Sequence, residues 1–197
     1  MNIERIIEGA LEANGYVLWQ KDGGEAYVID PGYAASRYTK FAKAHALRPK
    51  AILLTHTHHD HAGKAAHLAE AFGCPVMAQR EELDYYKGRV DEILEGGERL
   101  DLGGEQIDVL HTPGHTAGGL CFYSAKSRVA FTGDTVFNVD IGYTHFAGGS
   151  AERMKNSLRE VVGKWADGIT IHPGHGDPAT MKAVREINRD YIDMTSV

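Results

Sequence analysis

Cysteine is scarce: two in 197 residues. Cys74 and Cys121 lie inside apolar stretches far apart in the chain, so a disulfide or a thiolate metal site has little support and both read as small core residues. Long hydrophobic runs are missing, and no segment approaches the roughly 18 apolar residues of a membrane span. The opening Met1-Asn-Ile-Glu-Arg-Ile-Ile-Glu carries acids inside its apolar stretch and lacks a small-residue cleavage site, unlike a signal peptide. These absences predict a cytoplasmic protein. Positive charge is in deficit as well. With 21 Lys and Arg against 27 Asp and Glu the formal net charge is −6, and no run of like charge reaches the length of a tail. A nucleic-acid or anionic-membrane partner would call for a basic patch, so neither is expected, and a small-molecule substrate is the partner predicted. The remaining composition, 43% hydrophobic and 24% charged, is that of a soluble globular chain. Residues 1–197 suit one domain with a core large enough for two layers of sheet.

Histidine is what the chain does have. Residues 55–61 read Thr-His-Thr-His-His-Asp-His, which places His56, His58, Asp60 and His61 in the pattern His-x-His-x-Asp-His. Neutral imidazole is the commonest protein ligand for borderline metals, and a carboxylate adds charge and a harder donor. Four such groups in six residues cannot all turn inward on one strand or one helix. A short loop can fan them around a small volume, and Ala51-Ile-Leu-Leu54 before it is an apolar run of strand length. Ala62-Gly63 opens a helix-like stretch, so the local expectation is strand, ligand loop, helix. A solvated histidine tract would sit at a terminus, not between a core strand and a helix.

Periodicity and turn residues predict strands at 2–8, 15–20 and 25–30, then a helix from Ser36 to about 46 stopped by Arg48-Pro49. A helix at 63–72, a short strand at 75–78, a helix at 79–87 and a hairpin of 98–102 with 105–110 follow. The second half repeats the plan: a hairpin of 120–124 with 128–132 ending in Gly133-Asp134, a helix from Ser150 to about Trp165, a strand at 168–171 and the loop His172-Pro-Gly-His175-Gly. Hairpin, acid-bearing turn, helix, strand and histidine loop thus occur twice. Two β-plus-α halves facing each other across their sheets would bring both histidine loops to one edge.

Three further fragments, Gly114-His115-Thr116, Gly133-Asp134-Thr135 and Gly174-His175-Gly176, are each common in turns. Their order behind the histidine motif carries the information. Together the fragments resemble the metallo-β-lactamase superfamily and, within it, the glyoxalase II-like hydrolases, from Ile29-Asp-Pro-Gly32 to Pro173-Gly-His-Gly176. The resemblance implies an α/β fold of four layers, αββα, with the site at one edge of two mixed sheets. It implies two divalent ions, zinc first, with iron or manganese as alternatives. His56, His58 and His115 would hold one ion, Asp60, His61 and His175 the other, and Asp134 would bridge them. A carboxylate suits the bridge because its two oxygens can span ions about 3.5–4 Å apart. Asp60 and Asp134 are the catalytic residues implied, serving a metal-bridging hydroxide that attacks a carbonyl. Asp30 matches an aspartate behind the ligands. His59 fills a variable position and is expected to point away, while His111 and His172 are strand-end residues.

The ligand set argues against some relatives. The flavodiiron branch usually carries Glu at the position of His58, and β-lactamase branches usually place Cys or Ser where Asp134 stands. The implied activity is therefore hydrolysis of a thioester such as S-lactoylglutathione. A lactone or ester hydrolase with the same centre, a mononuclear iron persulfide dioxygenase and a metal-binding module without turnover are the alternatives. One departure bears on the thiol. Short bacterial forms often read Ile-Gly-Arg-Thr-Asp-Leu-x-Gly-Gly where this chain has Ile141-Gly-Tyr143-Thr-His145-Phe146-Ala-Gly-Gly149. Tyr143 and His145 are the candidate substrate contacts, and an arginine replaced by Tyr143 loses a fixed charge that could pair with a substrate carboxylate.

Overall fold

The computed structural model describes residues 1–196. Strands β1 (Asn2–Glu8), β2 (Ala13–Trp19) and β3 (Glu25–Ile29) form an antiparallel meander. Helix α1 (Ala35–Ala44) then crosses over to β4 (Arg48–Leu53), which pairs parallel with β3. A helical turn α2 (His59–Ala62) and helix α3 (Ala65–Phe72) lead to β5 (Val76–Gln79) and β6 (Glu92–Leu94), both added in parallel. The second sheet begins with the antiparallel run β7 (Arg99–Leu102), β8 (Glu105–His111), β9 (Leu120–Ser124) and β10 (Val129–Gly133). Helix α4 (Ala151–Glu160) crosses to β11 (Thr170–Pro173), parallel to β10, and β12 (Ala179–Thr180) closes the edge before α5 (Met181–Ile187) and α6 (Arg189–Thr195). Each sheet has six strands, in the orders β1-β2-β3-β4-β5-β6 and β12-β11-β10-β9-β8-β7.

Alternation along the strands builds the layers. In β2, Tyr16 and Leu18 face the other sheet while Val17 and Trp19 face helices; in β4, Ala51 and Leu53 do the first and Ile52 the second. Central strands buried on both faces therefore read as continuous apolar runs. Three cores result: helices α1 and α3 on the first sheet, sheet on sheet, and helices α4 to α6 on the second sheet. This is the αββα sandwich, and the repeat seen in the sequence is real in its topology. β2–β3–α1–β4 and β9–β10–α4–β11 each run antiparallel hairpin, crossover helix, parallel strand.

Several boundaries differ from the expectations. The helix expected at 63–72 is interrupted at Lys64 and its first turn starts earlier, inside the histidine motif, so Asp60 and His61 sit on α2 rather than in an open loop. The stretch at 79–87 is a short 3-10 turn over Arg80–Asp84, because Gln79 caps it and Tyr85 ends it within one tight turn. The helix expected from Ser150 to about Trp165 stops at Glu160 and continues only as a 3-10 turn over Val162–Lys164. Helix α1 uses no side-chain cap of its own and starts at Ala35, one residue before the expected Ser36; the Glu8 carboxylate accepts from the Tyr33 and Ala34 amides ahead of it. β6, β12, α5 and α6 are too short for periodicity to reveal. No helix of the described residues is long and apolar enough to cross a membrane.

Candidate metal centre

The site lies where strands from both sheets end at one edge. His56 and His58 follow β4, His115 follows β8, Asp134 directly follows β10, and His175 comes just after β11. Gly174 is required there by space alone: a Cβ would strike Asp134 Oδ1 and lie 2.8 Å from His61 Cε1.

Hydrogen bonds behind the rings set which nitrogen faces inward. His115 Nδ1 donates to the Tyr143 carbonyl at 2.7 Å, and His175 Nδ1 donates to the Leu11 carbonyl at 3.0 Å. A carbonyl has no proton to give, so in the neutral ring each Nε2 is the nitrogen that carries the lone pair. Thr55 spends its hydroxyl proton on Asp30 Oδ2 at 2.5 Å, which makes His56 Nδ1, 3.1 Å from the same hydroxyl, the donor and leaves His56 Nε2 bare. His61 turns Nδ1 toward Asp30 Oδ2 at 3.3 Å and Nε2 the other way, 3.5 Å from both Asp60 Oδ2 and Asp134 Oδ1.

The inward faces converge. His115 Nε2 lies 2.9 Å from His58 Nδ1 and 3.5 Å from Asp134 Oδ2. His175 Nε2 lies 3.3 Å from Asp60 Oδ2, 3.3 Å from His61 Nε2 and 3.6 Å from Asp134 Oδ2. His56 Nε2, 4.0 Å from Asp134 Oδ2, is buried without a hydrogen-bond partner among the described residues, as is Asp134 Oδ1. Two carboxylates and four further imidazoles crowd around His61, whose own charge is the cluster's counterion when no metal is bound. Two groups, His56–His58–His115 and Asp60–His61–His175, each bring three donor atoms within 4.8 Å, and Asp134 reaches both. Asp30 with His56 and His61 meets the same distance limit, but its oxygens are taken by the Thr55 amide at 2.8 Å and hydroxyl, so it stands behind His61 and orients it. The residues present fit a divalent-metal centre: nitrogen and oxygen donors, no thiolate, and unpaired buried lone pairs.

Charge within the cluster follows from the same packing. Burial, then the surrounding imidazoles, push His56 well below its ordinary range and keep it neutral. Burial opposes a charge on His61, yet Asp134, Asp30 and Asp60 outweigh it and raise that imidazole to about 9. Burial also works against the Asp60 carboxylate, but His175 and His61 hold it down at about 2. Above the cluster opens a cavity of about 650 Å³, floored by His58, Asp60, His115, Asp134 and His175 and walled by Leu11, Phe137, Val139, Tyr143 and Phe146.

The family model described as the metallo-beta-lactamase superfamily matches residues 9–175. The chain belongs to the metallo-beta-lactamase superfamily. Among superfamily relatives, the hydroxyacylglutathione hydrolase GloC of Haemophilus influenzae is 34% identical over 206 residues, covering 95% of this chain and 97% of that protein. The "Probable polyketide biosynthesis zinc-dependent hydrolase PksB" of Bacillus subtilis is 33% identical over 162 residues, covering 81% of this chain and 71% of PksB. The crystal structure of the BLEG-1 B3 metallo-beta-lactamase superposes with a TM-score of 0.90 at 28% identity, covering 99% of this chain and 100% of that one. That of TTHA1623 in a di-iron-bound form gives 0.84 at 29% identity, covering 94% and 98%.

All seven residues expected as ligands are brought together at this edge of the sheets. Tyr143 contributes twice: its carbonyl orients His115 and its exposed ring walls the cavity. His145 does not reach that cavity; it stacks near Tyr143 and Phe146 and faces an adjoining acidic hollow. His59 is exposed and packs on Tyr33, away from the cluster, and His111 and His172 touch no ligand. The motif did not reveal Glu82, which is buried and accepts from the Thr57 amide at 2.9 Å and the Gly118 amide at 3.0 Å, tying together the two loops that carry His58 and His115. Leu11 and Asn188 were missed too; the Asn188 amide donates to the Phe137 and Asp140 carbonyls at 3.0 and 2.7 Å and holds the cavity's far wall. A single acid in the polar run Arg80-Glu-Glu-Leu-Asp84 is a signal too weak to read alone.

Proposed function

We propose that this chain is a dinuclear metal-dependent hydrolase whose substrate is a thioester. One observation carries the reading: two groups of three nitrogen and oxygen donors converge on Asp134, with His56 Nε2 and Asp134 Oδ1 buried and unpartnered among the described residues. His56, His58 and His115 would hold one ion, Asp60, His61 and His175 the second, and Asp134 both. Bound divalent ions supply Lewis-acid polarisation of a carbonyl and a water of lowered pKa. The chain's own residues do the rest. The carbonyls of Tyr143 and Leu11 and the Thr55–Asp30 pair fix the imidazole orientations, so the donors need little rearrangement when a metal enters. Asp60 and Asp134 lie at the cavity floor, where a substrate carbonyl would meet them.

The names of GloC and PksB support hydrolysis, thioester chemistry with the first and zinc with the second; the di-iron form of TTHA1623 keeps iron in play. A small molecule, not a nucleic acid or a membrane, is the partner proposed. The test is Asp134→Ala. Wild-type protein reconstituted with zinc is expected to hold two ions per chain by elemental analysis and to hydrolyse an acyl thioester. The variant should lose an ion and lower turnover by at least about 100-fold, as removal of a unit's shared member does. Full turnover by the variant would defeat the assignment. Lactone, β-lactam and oxygen-uptake assays on the same samples separate the thioesterase from its alternatives.

A further inference from the structure

The cavity over the centre has a chemical character of its own. Its mouth gathers Leu11, Val139, Tyr143 and Phe146, which are 63%, 55%, 69% and 44% exposed and make up half of the large apolar side chains left in solvent among the described residues. Apolar side chains concentrated at one opening, rather than scattered, mark a surface meant to be covered. No Lys or Arg lines the cavity; its charged residues apart from the metal cluster reduce to Asp140. Across Tyr143 lies a second hollow of about 490 Å³ that shares Asp140 and adds Asp190 and Asp193. Arg5, which reaches the Gly176 carbonyl at the rim, is paired with Asp177 at 3.0 Å. The route to the centre is thus greasy on one side and acidic on the other, with no Lys or Arg along it to receive an anion.

We propose that this site takes an uncharged thioester with an apolar acyl group, and discriminates against glutathione and other thiols that carry net negative charge. The inference rests on the thioesterase reading for its chemistry, while the recognition it describes is a property of the walls. A pocket of this size buries a drug-sized ligand, and its apolar lining contributes in proportion to the apolar area covered. The acyl chain would lie against Leu11, Phe137, Val139 and Phe146. The thiol would leave past Tyr143 and the carboxylates of Asp140 and Asp190, where a glutathione carboxylate meets like charge without a cation to offset it.

The experiment holds the acyl group constant and changes the thiol. S-hexanoyl-N-acetylcysteamine and S-hexanoylglutathione are compared for kcat/KM, and the non-hydrolysable thioethers S-hexyl-N-acetylcysteamine and S-hexylglutathione for binding by calorimetry to the metal-loaded protein. S-acetyl-N-acetylcysteamine tests the acyl pocket. The neutral thioester is expected to be preferred at least tenfold, the hexanoyl over the acetyl form by a similar factor, and Tyr143→Arg to shift preference toward the glutathione compound. Equal or reversed preference in both turnover and binding overturns the proposal. If neither thioester is turned over but the neutral thioether binds tighter, the recognition stands and the thioesterase reading falls. If neither thioether binds, the recognition itself is overturned.

Discussion

Glu82 shows how a side chain outside the ligand set can govern it. Its two oxygens accept from Thr57, the residue between His56 and His58, and from Gly118, three residues after His115. A glutamine in its place has one acceptor oxygen and presents an amide to one of the two donors. An unpaired buried donor costs about 1–3 kcal/mol, and the loops it ties must shift to recover a partner. Glu82→Gln is therefore expected to weaken metal binding about 10- to 100-fold, the usual range for groups that orient ligands, while leaving the far-ultraviolet circular dichroism intact. Competition with a chromogenic chelator measures it; wild-type affinity in the variant would make Glu82 a scaffold residue alone.

Among the elements, the C-terminal helices do more than cover the second sheet. Asn188 sits between α5 and α6, is buried, and caps α6 through the Tyr191 amide at 2.9 Å while its own amide group holds the carbonyls of Phe137 and Asp140. One side chain thus couples the end of a helix to the wall of the cavity. Asn188→Ala removes a cap worth about 1 kcal/mol and two hydrogen bonds to the carbonyls of Phe137 and Asp140. Expected is a loss of about 2–3 kcal/mol in urea unfolding together with a raised KM and a kcat within twofold of wild type. A fall in kcat with KM unchanged would show that the loop at 137–140 serves the chemistry and not the recognition. Helix α1 makes a parallel case, where Glu8 accepts from the Tyr33 and Ala34 amides just ahead of the helix and from the Tyr38 hydroxyl.

For the whole molecule, an imidazole packed against Phe131 and Tyr16 contributes to the response to acid. His172 stacks on Phe131 at 5.0 Å and meets Tyr16 edge-on at 5.6 Å, with Nδ1 buried and unpartnered among the described residues. Burial, with the Arg5 charge, pushes it from 6.5 down to about 4. Between those values the unfolded chain binds the proton and the folded one does not, so stability falls as pH drops through this window. His172→Phe keeps the aromatic stack and cannot titrate. Its stability relative to wild type is expected to grow by up to ~3 kcal/mol between pH 6.5 and 4, measured by urea unfolding at each pH. A pH-independent difference would show that His172 is not the group responsible.

The metal motif, the strands that precede it and the doubled plan of hairpin, helix and strand were legible because each is local. His-x-His-x-Asp-His occupies six consecutive residues, and the alternation of Tyr16, Val17, Leu18 and Trp19 is imposed by the two-residue pleat of a strand. Even the distant members, His115, Asp134 and His175, could be found by their order once resemblance supplied the frame. The supports were not legible, because they are decided by which segments the two stacked sheets bring to one edge. Leu11 orients His175 across 164 residues, and Glu82 meets Thr57 across 25, through contacts that no spacing encodes. The same holds for the cavity, whose walls come from the β1–β2 turn and the loop after β10. Composition and short-range periodicity act residue by residue, so the donors and the strands that carry them can be read along the chain. Which nitrogen each imidazole turns inward, and what lines the way in, follow from backbone carbonyls and side chains that packing delivers from distant segments.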